Sequence, residues 1–251
     1  MKHLLLALLM VIFCSVPINA NKPKPKPAAK PEKTLSNLSF TTIVKPKNRL
    51  TSKWAFVIDT SSSIWKVFSK TRKAFVEITS YPTDELEFSI YAFNHQNHEK
   101  YRDWAWASEN EFNKADKWVN DPKNRGVLSF GARAIQWAIK GFAPITDKYG
   151  IIRGVSQNSI RAQLTVIIIT DGGFTENRRT NDMADIRDAI ESAQQWRVNR
   201  GYPRALIATI GIENLYYRAN HKRSDSECQK DLKSIGVKGQ GGYYYLKRIN
   251  Q

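Results

Sequence analysis

The chain has 251 residues, a formal net charge of +16 at pH 7 and a hydrophobic fraction of 41%. Aromatic residues make up 11% of it, which excludes a largely disordered chain, because such chains lack the apolar side chains that build a core. A single domain of about 200 residues buries roughly 70% of its unfolded surface. A complete hydrophobic core therefore does not require disulfides.

The first twenty residues have the pattern of a signal peptide. Lys2 precedes an apolar run over residues 4–13, which is too short to span a bilayer comfortably. Pro17 ends the run, and Ala20 is the predicted cleavage residue. No later segment is apolar enough to cross a membrane. We therefore predict a secreted or periplasmic protein, with no transmembrane segment once residues 1–20 are removed.

The two cysteines do not define the compartment. A lipid anchor at Cys14 is the weaker alternative to cleavage after residue 20, because Phe13 stands where a small residue is expected. If the signal peptide is removed, Cys228 is the only cysteine left, and one cysteine cannot form an intrachain disulfide. The cysteine count thus neither supports nor excludes an oxidising environment.

Residues 21–49 are predicted to form a Lys/Pro-rich linker that holds about half of the net charge. The stretch 22–33, KPKPKPAAKPEK, favours an extended polyproline conformation with mutually repelling lysines. It is interpreted first as a solvated tether and second as a contact with anionic lipid, wall polymer or acidic protein of the cell envelope. Phe40, Ile43 and Val44 are candidates for packing on the folded domain.

Strand and helix patterns alternate over the predicted domain, residues 50–251. Near-continuous apolar runs at 163–170 and 205–212 are typical of parallel strands that are covered on both faces. We predict an α/β fold with a doubly wound, mostly parallel sheet and one antiparallel edge strand. The strands at 86–93 and 100–106 are expected to pair as a hairpin.

Oxygen-bearing side chains follow the first strand of this domain. In the sequence DTSSS, Asp59, Ser61 and Ser63 place a carboxylate and two hydroxyls at positions i, i+2 and i+4. Such oxygens are the ligands that hard cations such as Mg²⁺ prefer. The alternative is that the serines only cap the next helix. Ligands of open α/β sheets bind beyond the carboxyl ends of the strands, which is where this loop lies.

A second carboxylate closes the apolar run at 163–170. Asp171 follows that run and is itself followed by two glycines, which allow the backbone to turn sharply. Two carboxylates at the ends of neighbouring buried strands favour one shared cation over two unrelated helix caps. We expect Mg²⁺ first, with Mn²⁺ and Ca²⁺ as alternatives.

The DxSxS pattern at 59–63 and the T-D-G sequence at 170–172 resemble the metal-ion-dependent adhesion site of von Willebrand factor A (VWA) and integrin inserted domains. The resemblance covers about residues 52–249 and implies a Rossmann-like VWA fold. The family has a threonine five residues before an Ala-Leu pair. Here Ala134-Ile135 takes the place of that pair, so Ser129 takes the place of the threonine and is implied to be a fifth metal ligand.

The resemblance also implies a function. We expect a non-enzymatic module in which a protein or other acidic ligand supplies a carboxylate to the metal. Trp65, Arg178 and Arg179 are expected to line the rim of the site; the alternatives are an inward-packed tryptophan and a solvated loop. A second function hypothesis is a structural or assembly protein of the cell envelope, in which the metal only braces the loops.

Other function classes find little support. His95 and His98 could bind zinc, but no third histidine or cysteine accompanies them, so a surface loop is favoured. The sequence contains no G-x-S-x-G elbow, P-loop or G-x-G-x-x-G motif, and we expect no enzymatic activity. Nucleic acid is not an expected partner, because the basic charge is not accompanied by a recognised nucleic-acid-binding motif.

Overall fold

The computed structural model describes residues 38–46, 49–61, 67–94, 98–126, 131–141, 161–174, 183–213 and 224–248. The chain divides into two units, Met1–Thr34 and Leu35–Gln251, and all described residues belong to the second. The predicted signal peptide and residues 21–37 of the predicted linker lie outside the described residues. Within these ranges no helix has both the length and the apolar surface needed to cross a membrane.

Seven strands form one mixed sheet in the order β1-β7-β6-β5-β2-β3-β4. The four central pairings are parallel, and the two outer ones, β1 with β7 and β4 with β3, are antiparallel. The predicted α/β class and mostly parallel sheet are confirmed, as is the predicted hairpin. The prediction of one antiparallel edge strand is wrong, because there are two. The strands are β1 Leu38–Val44, β2 Lys53–Asp59, β3 Glu87–Phe93, β4 His98–Trp106, β5 Thr165–Thr170, β6 Leu206–Ile212 and β7 Gln240–Arg248.

The additional edge strand, β1, comes from the segment assigned to the linker. Phe40 and Val44 pack against the core, whereas Ile43 is 42% exposed. A glycine in β7 permits the close pairing: Gly242 has φ +90°, and a Cβ there would lie 2.4 Å from the carbonyl oxygen of Val44. The sheet therefore begins before residue 50.

Five helices cover the two faces of the sheet in the described part of the chain. The second and fifth begin with serine caps: Ser108 accepts a hydrogen bond from the Glu111 amide, and Ser224 forms a capping box with Glu227. The helices are α1 Phe68–Thr79, α2 Glu109–Val119, α3 Ala132–Lys140, α4 Met183–Val198 and α5 Asp225–Lys238. Short 3₁₀ turns occur at Thr83–Glu85 and Pro122–Asn124.

Each face of the sheet has its own hydrophobic core. Helices α1 and α2 pack on one face around Trp54, which is fully buried and meets Phe75 edge to face at 5.3 Å between ring centroids. Helices α3, α4 and α5 pack on the other face, where Ile135 and Ile168 are fully buried. Because both faces are covered, the loops at the carboxyl ends of the strands remain as the place for a site.

Candidate functional site

The first predicted carboxylate, Asp59, is the last residue of β2 and is only 1% exposed. Its Oδ1 accepts a hydrogen bond from the backbone amide of Ser61 at 2.8 Å, which folds the loop back on the strand end. Its Oδ2 accepts a hydrogen bond from the hydroxyl of Thr170 at 3.0 Å. Thr170 is the last residue of the neighbouring parallel strand β5. The carboxylate is therefore fixed from two strand ends.

The second carboxylate, Asp171, directly follows β5 and is 3% exposed. Its Oδ1 accepts a hydrogen bond from the Gly173 amide at 3.0 Å. The intervening Gly172 has φ +82°, a conformation that costs other residues strain, and its amide donates to the Thr170 hydroxyl at 3.1 Å. Thr170 thus bonds to both loops through one hydroxyl group. The T-D-G pattern contains Thr170 but predicts no role for its hydroxyl.

The end of β3 supports the loop after Asp59. The backbone amide and the hydroxyl of Thr60 both donate to the carbonyl of Phe93, at 2.9 and 3.1 Å. The carbonyl of Thr60 accepts the amide of Gly126 at 3.1 Å, and Ser61 forms a parallel bridge with Gly126. The loop that carries Ser61 is therefore bonded on one side to β3 and on the other to the chain that leads to Ser129.

The chain is also fixed at Gly131, two residues after Ser129. Gly131 lies so close to Phe174 that a Cβ at this position would come within 2.6 Å of the phenylalanine ring. Phe174 follows Asp171 by three residues, and its ring stacks on that of Phe93 at 6.0 Å between centroids. Gly126 thus contacts the Asp59 loop and Gly131 contacts the Asp171 loop, whereas residues 127–130 lie outside the described residues.

Helix α5 packs against the Asp171 loop. A Cβ at Gly172 would lie 2.9 Å from the Cβ of Cys228, so the glycine backbone packs directly on the helix. Cys228 itself is buried. The helix is held to the sheet by Gln229, whose amide donates to the Ile212 carbonyl at 3.3 Å and accepts from the Tyr243 hydroxyl at 3.1 Å. Burial raises the pKa of Tyr243 to about 12, so this hydroxyl is a donor at neutral pH.

The structure brings together part of the predicted residue set. Asp59, Ser61 and Asp171 are each at most 3% exposed, and all follow or end neighbouring parallel strands. The other predicted site residues lie outside the described residues: Ser63, Trp65, Ser129, Arg178 and Arg179. His95 also lies outside them, and His98 is described only as the first residue of β4.

The candidate metal ligands among the described residues offer only oxygen atoms. Two buried carboxylates and the hydroxyls beside them match the ligands of Mg²⁺ or Ca²⁺ rather than those of a thiolate-seeking metal. Burying a carboxylate is costly unless its charge is compensated, and a divalent cation would compensate two. Among the described residues, no three or more His, Cys, Asp or Glu side chains are grouped so that they alone could hold a metal ion. A site of two carboxylates completed by hydroxyls and water does not need such a group.

No protein-family model and no curated protein matches this chain. Among solved structures, the SpRpn10 VWA domain is similar, with a TM-score of 0.47 and 12% sequence identity over 80% of this chain and 91% of that chain. A mutant of the PilB minor pilin from Streptococcus sanguinis gives a TM-score of 0.43 and 11% identity, over 81% of this chain and 58% of that chain. At these values the fold class rests on the strand order and helix placement themselves.

Proposed function

We propose that this chain is a non-enzymatic binding module that holds one divalent cation at the carboxyl edge of its sheet. The proposed ligands are Asp59, Ser61, Ser63, Ser129 and Asp171, some direct and some through water, with Mg²⁺ as the first candidate and Mn²⁺ or Ca²⁺ as alternatives. The observation that carries the proposal is the burial of Asp59 and Asp171 at the ends of two paired parallel strands. The Thr170 hydroxyl links their two loops, because it donates to the Asp59 carboxylate and accepts from the Gly172 amide.

The proposed task of the module is recognition of a protein or other acidic ligand that offers a carboxylate. A bound cation whose other ligands are neutral hydroxyls and exchangeable water keeps positions that an incoming carboxylate can take. Trp65, Arg178 and Arg179 are proposed to line the rim and to contact that ligand. We further propose that the chain is exported to the periplasm or the exterior, with the Lys/Pro-rich segment as a tether that can contact the envelope.

The first experiment measures metal binding. Thermal unfolding of the chain in excess Mg²⁺, excess Mn²⁺ and chelator should give a higher Tm with metal, since a ligand at one hundred times its Kd stabilises the folded state by about 2.7 kcal/mol. Asp59→Ala should abolish this metal-dependent shift, because it removes one of the two carboxylates proposed to bind the cation. Asp84→Ala, which removes an exposed carboxylate, is the control and should keep the shift. Identical melting of the wild type in all three conditions, with no heat of binding in calorimetry, would falsify the metal proposal.

A second experiment separates ligand recognition from the alternative, in which the cation only braces the loops. The hydrogen bonds that already join the Asp59 and Asp171 loops are the observation that favours this alternative. Mn²⁺ that binds an external carboxylate must carry exchangeable water, which speeds the relaxation of solvent protons. Acetate should displace that water and reduce the enhancement. If acetate leaves the relaxation rate of the Mn²⁺-loaded chain unchanged, the cation has a bracing role only.

A further inference from the structure

The side chain of Asn94 lies buried between three segments beside the proposed metal site. The residue directly follows β3 and is 1% exposed. Its Nδ2 donates to the hydroxyl of Thr60 at 3.2 Å and to the carbonyl of Asn124 at 2.7 Å. One amide nitrogen therefore joins the loop after β2 to the turn that follows α2.

The partners of Asn94 are themselves fixed. The Thr60 hydroxyl donates to the Phe93 carbonyl, so it is oriented to accept from the asparagine. Asn124 is 2% exposed, and its own amide donates to the carbonyl of Trp118 near the end of α2 at 2.6 Å. The asparagine thus connects two elements that already have defined positions, rather than two mobile loops.

The backbone at Gly126 lies directly against this side chain. A Cβ at position 126 would lie 2.3 Å from the Cβ of Asn94 and 2.6 Å from its Cγ. This contact, the amide bond from Gly126 to Thr60 and the bridge to Ser61 set the chain alongside the Asp59 loop. Ser129, the proposed fifth ligand, is three residues further on.

We propose that Asn94 is a positioning residue of the metal site: it holds the chain at Gly126 against the Asp59 loop, and so fixes the loop that carries the proposed ligand Ser61. The part of this proposal that concerns the cation rests on the function proposed above, and the part that concerns the loops does not. The required chemistry is specific to asparagine. Two N–H donors on one nitrogen serve two acceptors, an aspartate offers none when ionised, and a glutamine adds a methylene to a fully packed place.

The test compares Asn94→Ala with Gln194→Ala. Gln194 is a matched control, because it is 3% exposed and its amide also makes two hydrogen bonds, to the amide and carbonyl of Ala205 at the opposite edge of the sheet. In chelator, hydrogen exchange of the Gly126 amide should become about tenfold faster in Asn94→Ala, and that of Ala205 should not. In Gln194→Ala the pattern should be reversed. Unchanged exchange at Gly126 in Asn94→Ala would overturn the proposal.

The second readout is the Mn²⁺ isotherm. Removal of a residue that orients a metal ligand typically weakens metal binding about 10- to 100-fold, so Asn94→Ala should raise the Kd by that factor. Gln194→Ala, although it also lowers the Tm, should leave the Kd within about twofold of the wild-type value. Equal Kd values for the two variants would restrict Asn94 to a structural role and overturn its part in the site. If the wild type binds no metal, the proposed function fails, and the exchange data alone decide the loop assignment.

A milder pair of variants keeps the test decisive if Asn94→Ala does not fold. Thr60→Val removes the hydroxyl that accepts from Asn94 and keeps the shape of the side chain, whereas Thr60→Ser retains the hydroxyl. Faster exchange at Gly126 and a raised Kd should appear in Thr60→Val and not in Thr60→Ser. The same response in both would mean that the hydrogen bond to Asn94 does not set the loop, and the proposal would be wrong.

Discussion

Arg197 offers the sharpest test of how the amino edge of the sheet is stabilised, at the end opposite to the proposed site. Its side chain is fully buried. Its three nitrogens donate to the carbonyls of Pro203, Ile139 and Ala162, at 2.7, 3.1 and 2.6 Å. Burial lowers its pKa to about 10, so the guanidinium remains charged at neutral pH. One side chain thus satisfies carbonyls from the last turn of α3 and from two separate loops.

The expected loss follows from these three contacts. A hydrogen bond to a charged group contributes about 1.5–3 kcal/mol net, and a buried carbonyl left unpaired costs about 1–3 kcal/mol. Arg197→Met keeps the aliphatic stem and removes the charge, whose release from burial offsets part of the loss. We expect a decrease of about 3–5 kcal/mol in the free energy of unfolding. At a slope of about 2 kcal/mol per molar urea, the midpoint should fall by about 2 M.

Urea unfolding followed by tryptophan fluorescence measures this decrease. Arg200→Met is the control: Arg200 is exposed and stacks on Trp196 at 4.2 Å, so its loss should cost about 1 kcal/mol or less. Arg197→Lys should recover only part of the stability, because an ammonium is a point charge and cannot form the same fork. The Kd for Mn²⁺ should not change in any of the three variants. A cost below about 1 kcal/mol for Arg197→Met would refute the reasoning.

Two further predictions concern a backbone contact and a titrating group. Gly172→Ala and Gly201→Ala both place alanine at positive φ, which costs about 1–2 kcal/mol. Only the new Cβ at position 172 also clashes with a neighbour, Cys228. Urea unfolding should therefore show that Gly172→Ala lowers the free energy of unfolding by about 1–3 kcal/mol more than Gly201→Ala does, and Mn²⁺ binding should also be weaker. Equal losses of stability would exclude a role for the contact with Cys228. Burial raises the pKa of Asp116 more than Ser69 and Arg72 lower it, so its ionised form is disfavoured in the folded state. Asp116→Asn should be at least as stable as wild type at pH 7. The difference between their free energies of unfolding should shrink as the pH falls through the raised pKa toward 4, and a difference that does not change with pH would contradict this prediction.

The sequence predicted the centre of the sheet well for a physical reason. Strands covered on both faces must be apolar at nearly every position, and the runs at 163–170 and 205–212 have this pattern. They correspond to β5 Thr165–Thr170 and β6 Leu206–Ile212, which pair in parallel. Asp59 and Asp171 could be placed from the same signal, because each follows an apolar run directly.

The edges and the polar contacts could not be predicted in this way. The β1 strand contains β-branched residues, but its inclusion in the sheet depends on β7, about two hundred positions away, and on the close approach that Gly242 allows. Thr170 ends β5 and Asn94 directly follows β3. Both are single polar residues at strand ends, a place where turn residues are common. Their partners are 111 and 30–34 residues distant. A sequence pattern of short period has no information about such pairs.

The two edges of the sheet allow stability and metal affinity to be varied separately. At the amino edge, Arg197 and Gln194 make their hydrogen bonds to backbone groups of neighbouring loops and of the end of α3, so their loss should lower stability alone. At the carboxyl edge, Asn94 and Gly172 contact the segments that carry the proposed ligands, so their loss should also weaken metal binding. A plot of Kd against the free energy of unfolding should then give two groups of variants. If all variants follow one line, affinity depends on global stability only, and the positioning role inferred for the carboxyl edge has no basis.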